Sequence, residues 1–200
     1  MVLNRFQRFQ KRAFDLFLSS VGLILSLPII VVAWIIASIE TKANGFFIQE
    51  RVGKDGKIIK VIKIRTMRRG SSTSNSITVD GDDRVTKSGN FFRKSKIDEL
   101  PQLINVLIGD MSLVGPRPDV KGYADALQGD EREILSLKPG ITGPATLKYK
   151  DEERILSQVE NPKEYNDNII WPDKVKINRE YLRGWSLKRD ILYIWETIVG

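Results

Sequence analysis

The chain opens on two contrasting patterns of apolar and polar positions. Residues 5–15 set Phe6, Phe9, Ala13 and Phe14 among Arg5, Arg8, Lys11 and Arg12, the pattern of a helix start lying among lipid headgroups. Residues 16–39, LFLSSVGLILSLPIIVVAWIIASI, then carry no charge and are bracketed by Asp15 and Glu40. About 20 apolar residues are enough to cross a bilayer core. A cleaved signal peptide needs only about 7–15 before its cleavage site, so the run is too long for one. A plain spanning helix is the first reading, and two features argue against it. Pro28 removes a backbone donor in mid-run and predicts a bend, with Ser26 placed to satisfy a freed carbonyl. Each half then has about 12 residues, or about 18 Å, short of a core about 30 Å thick. Both flanks are also basic: Arg5, Arg8, Lys11 and Arg12 before, Lys42, Arg51, Lys54, Lys57 and Lys60 after. A spanning helix leaves its more basic flank on one side only. The pattern therefore predicts a bent, re-entrant membrane-anchoring helix over 1–40, returning to the face it entered, and a second unit over 41–200.

Beyond the anchor the periods shorten. FFIQERVG, a turn at Lys54-Asp55-Gly56 and KIIKVIKIRTM predict a β-hairpin over 46–65, with Lys63 and Arg65 on one strand face. Residues 68–84 are rich in Ser, Gly and Asp and read as a loop. A helix is expected over Pro101–Ile108, with Leu103, Val106 and Leu107 on one face and Gly109 closing it. Another helix is expected over 119–138, followed by a turn and a short extended piece in KPGITGPATLKYK. The tail places Leu187, Ile191, Ile194 and Trp195 at helical spacing, an amphipathic helix that is either packed on the core or laid on a membrane. Helices and strands mix without a βαβ rhythm, so the predicted class is α+β: a small mixed domain with amphipathic interfacial helices.

Composition narrows the chemistry. The chain has a net charge of +7 and an isoelectric point near 9.6, which favours acidic partners. It contains no cysteine and no histidine, so thiolate sites, disulfides and the usual general base are excluded. Acid–base, nucleophilic or metal chemistry falls to carboxylates. Asp98 and Glu99 stand side by side before Pro101, among Arg93, Lys94 and Lys96, with Arg117 between Pro116 and Pro118. A structural reading is available: Ser95-Lys96-Ile97-Asp98 has capping-box spacing, and Glu99 would favour the positive end of the following helix. Pro101, however, biases Leu100 away from helical angles and would hold the pair at a break. Like charges side by side raise one pKa while nearby arginines lower it. A carboxylate kept ionised this way acts as a nucleophile or shares Mg²⁺ with a phosphate, and Arg117 suits a fixed phosphate contact. The residues point to carboxylate-driven, Mg²⁺-assisted phosphoryl chemistry beside a membrane. A binding module for anionic lipid or nucleic acid is the rival class; the aromatic residues form no recognised base-stacking motif, so nucleic acid is not expected.

Nearly the whole chain resembles the bacterial sugar transferases, the small monotopic polyprenyl-phosphate phosphoglycosyl transferases. KRAFDLFLSSVGLILSLP is similar to the family's re-entrant anchor and KVIKIRTM to its basic strand. DDRVTKSGNFFRKSKIDELPQLINVLIGDMSLVGPRP and KPGITG are similar to its two core blocks. The resemblance implies transfer of a sugar 1-phosphate from a UDP-sugar to undecaprenyl phosphate with release of UMP, the first membrane step of bacterial glycan assembly. It implies a phosphosugar carried on Asp98, with Glu99 assisting Mg²⁺ binding or proton handling, and both as candidate metal ligands. It further implies phosphate contacts from Arg93 and Arg117, joined by Lys63 and Arg65 from the strand. The nucleotide would meet Lys138, Pro139, Gly140, Thr142 and Gly143. The expected location is the bacterial cytoplasmic membrane, catalytic side inward, upstream of further glycosyltransferases, and the length fits the family's minimal catalytic form. Two positions depart from the family pattern: Leu27-Pro28 stands where Ser-Pro is usual, and Pro144-Ala145-Thr146 where Leu-Ala-Gln is usual.

Overall fold

The computed structural model describes residues 3–68 and 82–200. Helix α1 runs from Arg5 to Thr41, opened by a capping box in which the Asn4 and Gln7 side chains each accept the other's backbone N–H. It continues as one element through Pro28. The Ser26 hydroxyl reaches the Leu23 carbonyl at 3.5 Å, one residue short of Ile24, whose carbonyl loses its i+4 donor to the proline. At 1.5 Å per residue α1 is about 55 Å long, and it is apolar and long enough to cross a membrane by length and composition.

One stripe of α1 is buried against the rest of the chain: Lys11, Asp15, Ser19, Ser26, Ile30, Ala33, Ala37 and Thr41. Their spacing of three, four and seven keeps them on one helical face. The contacts begin near the first turns, where Arg12 donates to the carbonyls of Val106 and Leu107 at 2.6 and 2.8 Å. Asp15 accepts from Ser112 Oγ and the Leu113 N–H. They end near the last turn, where the Glu40 carboxylate accepts from the Lys87 and Ser88 N–H groups and the Ser88 hydroxyl. The opposite face, including Phe17, Ile24, Leu25, Val32 and Ile39, is exposed.

Strands β1 (Phe46–Val52) and β2 (Ile58–Ile64) form the expected antiparallel hairpin. Asp55 and Gly56 take positive φ at its turn, 57° and 79°. Met67 bridges Val85, closing a loop of which 69–81, most of the polar stretch expected at 68–84, lies outside the described residues. Helix α2 (Lys87–Lys94) follows, then α3 (Gln102–Ile108), ended by Gly109 at φ 95°. The expected apolar face of α3 is only partly right. Val106 is fully buried, but its companions inside are Gln102 and Asn105. Asn105 accepts from the Ile62 N–H at 3.0 Å and donates to the Lys60 carbonyl at 2.7 Å. It pairs with the outer edge of β2 as a neighbouring strand would, which removes an open edge.

Strands β3 (Ser112–Val114) and β4 (Gly140–Thr142) pair in parallel. Between them the helix expected over 119–138 is absent as such. The chain makes two 3₁₀ segments, Ala124–Ala126 and Gly129–Ser136, because Gly122 and Gly129 take positive φ of 97° and 54°. β4 is the short extended piece expected in KPGITGPATLKYK, and directly after it the chain enters α4 (Pro144–Lys148), where Pro144 sits favourably at a first helical turn. Helices α5 (Glu152–Ser157), α6 (Pro162–Tyr165), α7 (Trp171–Arg183) and α8 (Leu187–Val199) complete the chain. The central core joins Val61, Val106, Met111, Val114, Tyr181 and Trp185. The class is mixed helix and strand, as expected of α+β. The amphipathic tail divides its apolar residues: Leu187 and Ile194 pack on the core, whereas Ile191, Leu192, Trp195 and Ile198 are exposed.

Candidate active site

Asp98 and Glu99 lie in a 3₁₀ turn, Ile97–Glu99, between α2 and α3. The break that places them there differs from the expected one. Leu100 takes helical angles despite the following proline (φ −54°, ψ −37°), and the left-handed residue is Lys96, at φ 58°. Ser95 does not cap the turn; its hydroxyl donates back to the Phe91 carbonyl. Both carboxylates are buried, each residue only 8% exposed.

Glu99 is held by two cations from distant parts of the chain. Its Oε1 accepts from Lys63 Nζ of β2 at 3.1 Å and from Arg117 Nη2 at 2.5 Å; Oε2 accepts from Arg117 Nη1 at 3.4 Å. Burial alone would raise its pKa, but Arg117 first and Lys63 second hold it well below the usual carboxylate range. Arg117 is raised in turn, chiefly by Glu99. Burial lowers Lys63, and Glu99 opposes that shift.

Arg117 stands on an arm that follows β3, and the KPGITG block supports that arm by backbone contact. Gly115 N–H donates to the Thr142 carbonyl at 2.9 Å, and Gly140 N–H to the Pro116 carbonyl at 2.8 Å. A Cβ on Gly140 would lie 2.1 Å from the Gly115 nitrogen, and one on Gly115 would lie 2.5 Å from the Lys138 carbonyl oxygen. The glycines of both segments are needed because the two backbones touch.

Asp98 is in the opposite electrostatic condition. Its Oδ1 is buried with no hydrogen-bond partner. Burial, then the charge of Glu99, pushes its carboxyl up to about 6, against the pull of Lys63, Lys96 and Arg93. Glu99 is thus committed to its cations, while Asp98 keeps an unengaged oxygen and stays mostly ionised at neutral pH. Such an oxygen is suited to attack an electrophilic phosphorus.

Residues 6–200 match the family described as bacterial sugar transferase. The chain belongs to this family. A UDP-glucose:undecaprenyl-phosphate glucose-1-phosphate transferase of Escherichia coli (strain K12) is 35% identical over 205 residues, covering 98% of this chain and 41% of the relative. A transferase of the same description from Klebsiella pneumoniae is 38% identical, with 98% and 41% covered. A UDP-N-acetylgalactosamine-undecaprenyl-phosphate N-acetylgalactosaminephosphotransferase of Aeromonas hydrophila is 32% identical, with 95% and 43% covered. The chain spans about two fifths of the length of these relatives.

In this family member the residues expected at the site are not all brought together. Lys63 and Arg117 contact Glu99. Arg93, at the end of α2, pairs with Glu153 Oε1 at 2.6 Å while its charge still acts on Asp98. Arg65 lies just past the end of β2, where strand alternation no longer holds. Its guanidinium donates to the Asn44 and Phe46 carbonyls and lies over the Phe47 ring. In the KPGITG block, Pro139 lines a small cleft with Arg117 and Asp119. Lys138 is lowered by burial and by the neighbouring Arg12, and Thr142 shares a 2.6 Å hydroxyl contact with Thr197 of α8.

Two site residues escaped the sequence reading. Asp119 is pushed up to about 6 by burial, against Lys174, Arg51 and Arg117. Arg51 is lowered by burial and by the charge of Arg117. In the sequence Arg51 stands out only as flanking charge beyond the anchor. The signal for Asp119 was its place directly after GPRP.

Mg²⁺ fits the acidic pair through one residue. Among the described residues no cluster of three or more His, Cys, Asp or Glu side chains is arranged for a metal. Glu99 is occupied by Lys63 and Arg117, which leaves Asp98 as the carboxylate of the pair with an unengaged oxygen. Mg²⁺ commonly takes one or two carboxylates and completes its shell with water and substrate phosphates, and Asp98 would be the residue of the pair to offer it one.

Proposed function

We propose that the protein transfers a sugar 1-phosphate from a UDP-sugar to undecaprenyl phosphate through a covalent intermediate on Asp98. The observation that carries this reading is the unpartnered, buried Asp98 oxygen among cations, in a family whose relatives are named for that transfer. An Asp98 oxygen attacks the phosphorus bearing the sugar. The bond from that phosphorus to the bridging oxygen breaks, and its electron pair leaves on UMP. An oxygen of undecaprenyl phosphate then attacks the same phosphorus, and the carboxylate departs intact. Splitting the transfer lets a soluble donor and a lipid acceptor use one site in turn. Bound Mg²⁺, held by Asp98 and the substrate phosphates, would neutralise part of the charge on the leaving phosphate. Arg117 and Lys63, kept cationic beside Glu99, give the cleft the charge that draws phosphates. The product would be the starting lipid for later glycosyltransferases.

The test is incubation with undecaprenyl phosphate, Mg²⁺ and a panel of UDP-sugars. UMP is the expected nucleotide product with at least one of them. UDP as the product would mean that a bare sugar is moved, and no turnover with any donor would leave a binding module.

The same reading places the protein in the cytoplasmic membrane without crossing it. It is supported by the attachment of α1 to one domain at both ends, through Arg12 and Asp15 and through Glu40. Such an attachment supports both ends of α1 lying on one face of the bilayer. Single cysteines introduced near residue 4 and near residue 43 should both react with a membrane-impermeant maleimide only in inverted vesicles. Labelling of the first in intact cells would restore a spanning helix.

A further inference from the structure

Gln102 opens α3 directly after the acidic pair and is only 2% exposed. From the turn Ile97–Glu99 the backbone stays helical through Leu100 (φ −54°, ψ −37°) and Pro101 (φ −62°, ψ −17°) into α3. On such a coil, residues three and four apart are neighbours on one face. Gln102 is three beyond Glu99 and four beyond Asp98, so it shares their side of the coil.

A primary amide offers donor hydrogens on nitrogen and an acceptor oxygen. The Gln102 Nε2 is buried and has no hydrogen-bond partner. Asp98 Oδ1, in the same short segment, is also buried and unpartnered. Leaving a polar atom so is costly, and native interiors rarely tolerate it without a functional reason. One of these orphans is a donor and the other an acceptor, yet they do not bond to each other. Together they match the two parts of a phosphoryl group: an electrophilic phosphorus for the carboxylate oxygen, and a non-bridging oxygen for the amide.

We infer that Gln102 is a further catalytic residue, its Nε2 donating a hydrogen bond to a non-bridging oxygen of the phosphoryl group that Asp98 attacks. The inference rests on the proposed transfer and adds to it a residue that touches the reacting group. A neutral donor has an advantage at this place. An amide stabilises charge on the phosphoryl oxygens by a fixed dipole, without adding a charge of its own to the acidic pair. A fixed donor of this kind is worth about 10²–10³-fold in rate.

The experiment compares wild type, Gln102→Met and Gln102→Glu for UMP release and for unfolding midpoint in the same detergent. Methionine matches glutamine in length and removes the orphan donor, so the fold should be as stable as wild type or more so. Its kcat should nevertheless fall about 10²–10³-fold. Gln102→Glu, which keeps the shape but turns an acceptor toward the phosphate, should fall at least as far and serves if the methionine variant does not fold. If wild type is active and a folded variant stays within about threefold of it, against the 10²–10³-fold expected of a lost donor, the inference fails and the proposed function stands. If wild type releases UMP from no UDP-sugar, the proposed function fails and takes this role with it.

Discussion

Asp98→Asn should abolish turnover and at the same time make the protein more stable above neutral pH. The loss of activity follows from the nucleophile: an amide oxygen of asparagine does not form the acyl phosphate, so neither UMP release nor a phosphosugar-labelled protein should be detectable. The gain in stability follows from the pKa. In the folded protein Asp98 titrates at about 6, against 3.8 for the free side chain. The folded state therefore binds this proton more tightly than the unfolded chain does. The contribution of the group is favourable below about pH 4 and is lost as pH rises through 6. Two units correspond to about 3 kcal/mol at pH 8, the upper bound of what asparagine can recover. Urea midpoints of the two proteins should converge below about pH 4, separate between there and about pH 6, and keep a constant difference up to pH 8. Wild-type kcat/KM, which reports the free enzyme, should fall toward acid pH as Asp98 becomes protonated. A labelled adduct surviving in Asp98→Asn would mean that the nucleophile lies elsewhere, and parallel stability curves would mean that the carboxylate is not strained.

Lys11→Met should be the most damaging change outside the active site. Lys11 Nζ donates to Asp190 Oδ2 at 2.7 Å and to the Tyr181 hydroxyl at 3.3 Å. Asp190 also accepts from the Tyr181 hydroxyl at 2.6 Å and from Trp185 Nε1 at 3.1 Å, and is 1% exposed. Methionine fills the space of lysine but leaves a buried carboxylate without its counter-charge, a loss of about 3–5 kcal/mol. The unfolding midpoint in detergent or nanodiscs should fall accordingly, and protease should cut more readily between α1 and β1. Lys11→Met combined with Asp190→Asn should recover most of the loss, because the charge is removed along with its partner. An unchanged midpoint in the single variant would show that apolar contacts alone dock α1.

How much of this was legible in the chain depends on the range of the cause. The hairpin over 46–65, the Gly109 stop and the tail helix follow from local periodicity and turn chemistry, and all three are present. The acidic pair was visible because two charges beside a proline are unusual in so basic a chain. What stayed hidden was set by contacts distant in sequence. Nothing near Asn105 announces that its side chain will pair with the edge of β2. Nothing near Lys11 points to Asp190, 179 residues away. Pro101 is the visible breaker near Asp98, whereas the backbone turns at Lys96, which carries no sequence mark of a left-handed residue. Nothing local in KPGITG shows that its glycines also let one backbone lie against the arm of Arg117.

The attachment of α1 along its buried stripe has a mechanical consequence. Seated in lipid, such a molecule would float as one piece, and the immersion depth of its greasy outer side would set how high the reactive oxygen rides above the headgroups. Acceptor choice would then be partly a matter of altitude, since only a phosphate presented at that level could meet the loaded aspartate.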